Sequence, residues 1–128
     1  MMKLLRLSAL FILLIGAVNI SAKTLTVNDQ IVHWTPKMIE YVKTARDVAE
    51  NADQKQEAQT LLVEWNSFKN NLSARKSNQK VFLKMSRRSE MLLKRIQASL
   101  GVDCKEQRKI QTMIDDVYVG QNKVRGKK

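Results

Sequence analysis

Between Met38 and Val117 the apolar side chains return every three or four positions, in four runs separated by short polar breaks. That interval lines one face of a helix of about 3.6 residues per turn and does not fit the alternation of a strand. One proline and four glycines in 128 residues leave too few turn formers for a many-stranded sandwich or barrel, and three phenylalanines are few aromatics for such a core. The length is that of one ordinary domain. The expected fold is therefore all-α: an antiparallel four-helix bundle whose helices, joined by short links, bury their stripes against one another.

Thr35-Pro36 reads as an N-cap followed by proline at the first helical position, where a missing N–H costs nothing. It predicts a first helix to about Asn51, with Met38, Tyr41, Val42, Ala45, Val48, Ala49 and Ala52 on one face. Asp53 with Gln56 three residues on reads as a capping box, and Ala58, Leu61, Leu62, Trp65, Phe68 and Leu72 form the second stripe. Ser73 to Gln79 is the central loop, and Ser77 or Asn78 caps a third helix striped with Phe82, Met85, Leu92, Leu93, Ile96 and Leu100. Gly101 stands where a left-handed C-terminal cap needs a residue without a Cβ. Asp103 to Glu106 is a further capping box, opening a fourth helix with Ile110, Met113, Ile114 and Val117 inward, Tyr118 at the margin and an end near Gly120. The bundle is thus expected over residues 35–120, followed by a basic tail, 121–128. Residues 23–34 form an N-terminal arm, with Thr24 to Val27 extended. Ile31, Val32 and Trp34 pack on the first helix or on a second subunit, which makes a homodimer the associated expectation.

Ahead of this lies an address. Lys3 and Arg6 precede an apolar run, Leu7 to Val18, broken only by Ser8 and Gly16. The run has the length of a signal-peptide core and is shorter than the ~20 apolar residues a membrane span needs. Asn19-Ile20-Ser21-Ala22 is a polar break ending in a small residue. Residues 1–22 are expected to be a cleavable signal peptide cut after Ala22, sending the chain to the periplasm or the medium. Ile20 is bulkier than the residue usual at that position, and a retained anchor is the alternative. Cys104 is the only cysteine, so no internal disulfide forms and stability rests on the apolar core. No redox motif surrounds it, and it reads as a small, partly buried thiol, with pairing to another molecule as the alternative.

The formal net charge of +11 predicts attraction to anionic partners. It is unevenly spread. From Lys23 through Glu64 there are five basic and seven acidic residues; beyond Glu64 there are sixteen and five. On the third helix Lys80, Lys84, Arg87, Arg88, Lys94 and Arg95 fall within an arc of about 120°, opposite the apolar stripe. Glu90 is the only acid on that helix, so local i,i+4 pairing is not expected to neutralise the stripe. The plain reading is a solvated face, paired across the bundle with Glu40, Asp47, Glu50 or Glu57. The functional reading is a docking surface for an acidic exported protein, a client or an anionic envelope component. Export and the lack of aromatic residues among the cations weigh against nucleic acid.

Catalytic constellations are missing from the sequence. It holds no glycine-rich phosphate loop, no histidine pair for zinc and no nucleophile beside a base, so a non-enzymatic role without a metal is expected. His33 reads as a surface or capping residue. Asp115 and Asp116 are adjacent, hence about 100° apart on a helix, and read as solvated or paired with basic neighbours rather than as a dyad.

Two resemblances attach to particular residues. Met38 in the first helical turn, Ala49 to Gln54 at the first connection and Val117-Tyr118 late in the last helix look distantly like soluble cytochrome b562. That resemblance implies a periplasmic helical bundle and, as an alternative function, a haem electron carrier with Met38 as one axial ligand. The family's second ligand is a histidine directly after a tyrosine, and here Val119 follows Tyr118. Leu25 to Gln30 and Val102 to Gln107 resemble, each with one residue too many, the Leu-Thr-x-x-Gln motifs of periplasmic stress chaperones of the Spy and CpxP kind. That resemblance implies an envelope chaperone.

Overall fold

The computed structural model describes residues 26–72, 78–101 and 104–126. These form four helices and no strand: α1 Val27–Val48, α2 Ala52–Asn70, α3 Asn78–Ser99 and α4 Lys105–Arg125. The chain is an all-α bundle, as its apolar period predicts. The proposed signal peptide lies outside the described residues.

The first helix starts earlier than Thr35-Pro36 implies. Thr26 is its cap: the Thr26 hydroxyl accepts the Asp29 backbone N–H at 3.0 Å, and the Asp29 carboxylate accepts the Thr26 N–H at 3.2 Å. This reciprocal pair satisfies donors that a helix start otherwise leaves open. Residues 27–34 are therefore the opening turns of α1 and not an arm. Ile31 is buried, Trp34 packs against the core, and Val32 faces solvent. Pro36 sits inside the helix, and Thr35, instead of capping, is buried with its hydroxyl donating to the Ile31 carbonyl at 2.6 Å. Interior proline costs about 3 kcal/mol. Ile31, Met38, Ile39 and Val42, all buried on either side of it, each return roughly 1.5–3 kcal/mol, so packing wins.

Three other boundaries shift for local chemical reasons. Asn51, not Asp53, caps α2, its side-chain oxygen accepting from the Asp53 and Gln54 N–H groups at 2.7 and 3.1 Å. Cys104 caps α4, with Sγ accepting from Gln107 N–H at 3.3 Å; Asp103 lies outside the described residues. Gly101, after α3, does not take the left-handed conformation expected of it, whereas Gly126, with φ 86°, caps the end of α4. Accordingly α4 runs past Gly120, and Gln121 and Val124 of the expected tail are buried in its last turns.

Helix α1 packs on all three others and α3 also meets α2 and α4, whereas α2 and α4 make no extended contact. At the centre Trp65, Phe68 and Phe82 are fully buried, with Trp65 edge-on to both phenylalanines at 5.8 and 5.4 Å between ring centroids. The Trp65 indole N–H donates to the Ser89 hydroxyl at 2.9 Å, which in turn donates to the Met85 carbonyl at 3.0 Å. Gly120 lets α4 lie close to α1: a Cβ there would stand 2.8 Å from Trp34 Cε3 and 3.0 Å from Met38 Cε.

Candidate functional site

Lys80, Lys84 and Arg87 follow one another at intervals of four and three residues, which places them in a single row along α3. All three are exposed, and the next position in the row, Met91, is also 53% exposed. The opposite side of α3 carries Phe82, Met85, Leu92, Leu93 and Ile96 into the core, so packing on the inner face fixes the direction of the row. Among the described residues none of these three cations forms an ion pair.

The other half of the expected stripe is compensated. Arg88 donates two parallel hydrogen bonds to Glu64, at 2.6 and 3.2 Å. Arg95 pairs with Glu57, and Lys94 with Glu90 at 2.9 Å. Only Lys94 finds the local i,i+4 partner that was not expected; Arg95 takes Glu57, one of the cross-bundle acids the plain reading offers, Arg88 takes Glu64, which that reading does not name, and Lys80, Lys84 and Arg87 form no ion pair among the described residues. The cause is register. Glu57 and Glu64 stand two helical turns apart on α2, matching the two-turn separation of Arg95 and Arg88 on α3, and the Glu90–Lys94 pair is the i,i+4 contact open to any helix. These pairs are partly exposed and worth about 0–1 kcal/mol each. Their main consequence is to remove three cations from the outward field.

Glu90 is the best sheltered of these acids, with its side chain 19% exposed. Burial alone would raise its pKa. The contacts from Lys94 and from the buried Gln121 amide, at 3.1 Å, outweigh that and, helped by Arg87, hold the carboxyl below its ordinary value. It stays ionised and anchors α4 to α3.

Beside the row a groove of about 450 Å³ opens between α2 and α3. Phe68 and Met85, both buried, form its floor; Val63, 60% exposed, and Val81 form its sides. Ser67, Lys84 and the Arg88–Glu64 pair supply its polar atoms. The sequence reading did not find it, because Val63 falls off the apolar stripe of α2 and reads as an isolated surface valine.

The remaining candidates are placed as follows. Met38 is fully buried and Met113 nearly so, while Tyr118 and Val119 are exposed on α4. His33 is exposed and stands edge-on to Trp34 at 5.7 Å. Asp116, half-buried, accepts the Tyr41 hydroxyl at 3.3 Å, and Asp115, exposed as a solvated acid is, accepts the Gln111 amide at 3.0 Å. Cys104 is a half-buried free thiol. The described parts of both stretches resembling the chaperone motif, from Thr26 and from Cys104 onward, open helices through the caps at those residues. Among the described residues no group of three His, Cys, Asp or Glu side chains could hold a metal ion, and no helix is long and apolar enough to cross a membrane. Comparison with family models, with curated proteins and with solved structures finds no match.

Proposed function

We propose that this chain is an exported, non-enzymatic helical bundle that binds an acidic partner, a protein or an anionic envelope component, through the outward row of α3. The observation carrying the reading is the row itself: Lys80, Lys84 and Arg87, exposed on one face and forming no ion pair among the described residues, in a chain of net charge +11. Arg88, Lys94 and Arg95, spent on Glu64, Glu90 and Glu57, take a lesser part. An antiparallel course is supported by the reversed order of the Glu57–Arg95 and Glu64–Arg88 pairs, by Gln54 reaching Ser99 and by Gln79 reaching the Val124 carbonyl. Export is supported by the Lys3 to Ala22 pattern.

Exposed charges steer and hold a partner through a field that salt screens over roughly 10 Å at 0.1 M. Titration of the protein with polyglutamate, and separately with vesicles of phosphatidylglycerol, tests the proposal. Affinity for one of the two should fall steeply as sodium chloride is raised. Binding unchanged by salt, or absent for both at low salt, would dismiss the row as a docking surface.

A further inference from the structure

We infer that the groove between α2 and α3 is a binding site for a single-chain amphipathic carboxylate of the fatty-acid class, its head on Lys84 and its chain on the apolar floor. This deepens the proposed function, since it rests on Lys84 being an uncompensated cation, and it names a ligand for one end of the basic row. The groove holds Lys84, Arg88 and Glu64. Arg88 and Glu64 cancel through two hydrogen bonds, at 2.6 and 3.2 Å, so one positive charge is left over, and it is a lysine ammonium at the rim. A single anionic head balances it, whereas a neutral apolar ligand would leave it unpaired. The Ser67 hydroxyl, on the facing helix, offers a further donor to such a head.

Shape and polarity specify the rest of the ligand. A volume of about 450 Å³ falls among small-molecule sites, which span about 300–1,000 Å³, and is small for an entire docked helix. Phe68 and Met85 line the floor at 1% and 6% exposure, and Val63 and Val81 flank it, so beyond the head the groove offers hydrocarbon beside the internally paired Arg88 and Glu64. Val63 is 60% exposed, and covering it with a chain removes apolar area from water. Methionine adapts to an acyl chain without a fixed shape.

Calorimetric titration of the full-length mature chain with decanoate, below its micelle concentration, tests this, with decanol and acetate as probes lacking the charge and the chain. Decanoate should bind more tightly than either. Its affinity should drop about tenfold in Lys84→Gln, the worth of one charge-assisted contact, and drop again in Val63→Asn. Both positions are exposed, so neither variant threatens the fold. Amide NMR with decanoate should shift Ser67 and Val81. Acetate binding as tightly as decanoate, decanol matching decanoate, unchanged affinity in both variants, or shifts confined to the outer face of α3 would each overturn the assignment. Lys80→Gln with Arg87→Gln separates it from the broader reading: those changes weaken polyglutamate or vesicle binding and leave decanoate affinity intact, and an equal loss of decanoate affinity would count against the groove.

Discussion

Trp65 is fully buried, and its indole N–H is satisfied by the Ser89 hydroxyl at 2.9 Å, itself anchored on the Met85 carbonyl. Removing that hydroxyl strands a buried donor, which costs about 1–3 kcal/mol. Ser89→Ala should therefore lower the unfolding free energy by that amount, read as a lower urea midpoint with an unchanged slope; a neutral substitution would mean the indole finds another acceptor. Tyr41 offers a pH signature. Burial first, then the charge of Asp116 and the 3.3 Å hydrogen bond to it, push its hydroxyl up to about 12 from 10.0. The folded state thus keeps a proton that the unfolded state gives up sooner, so this contribution is whole below pH 10 and is lost as pH rises from about 10 to about 12. Spectrophotometric titration should show a tyrosine component near pH 12 that Tyr41→Phe removes, and stability of that variant should fall less over the same interval.

At the scale of elements, α1 shows where a sequence signal and the fold part company. Thr35-Pro36 and Thr26 with Asp29 are both sound helix starts in local terms, and Thr26 prevails because Ile31, four residues before Thr35, belongs to the core. Local capping rules weigh one turn at a time and cannot see which turn will be buried. The proline remains as a cost, so Pro36→Ala should stabilise the bundle by up to about 3 kcal/mol, read as a higher urea midpoint; a loss would show that Pro36 contributes packing that outweighs its missing N–H. The stripes themselves were legible. Ala58, Leu61, Leu62, Trp65 and Phe68 of α2, and Phe82, Met85, Leu92, Leu93 and Ile96 of α3, are buried as their spacing requires. Legibility failed at contacts between helices. Arg88 and Glu64 are 24 positions apart, and nothing in either helix alone fixes the register that joins them. The same holds for Tyr41 and Asp116, 75 apart.

For the whole molecule, the excess of positive charge beyond Glu64 is a property of the sequence, but its usable part depends on the fold. Half of the six cations of the α3 stripe are spent on carboxylates, and Lys80, Lys84 and Arg87 form no ion pair among the described residues. The groove beneath Lys84 exists only because α2 and α3 stand side by side, so it had no signature in either helix. Under the proposed function the row, and not overall basicity, attracts the partner. The decisive measurement compares Lys80→Gln/Lys84→Gln/Arg87→Gln with an equal-charge control, Lys37→Gln/Lys43→Gln/Lys55→Gln on α1 and α2, in binding to whichever anionic probe the native chain holds. Three exposed contacts at 0.2–1 kcal/mol each come to about 1.5 kcal/mol, so the row variant should bind about tenfold more weakly while the control stays within about twofold of the native chain. Equal losses in the two variants would reduce the row to a share of the net charge and contradict the central claim.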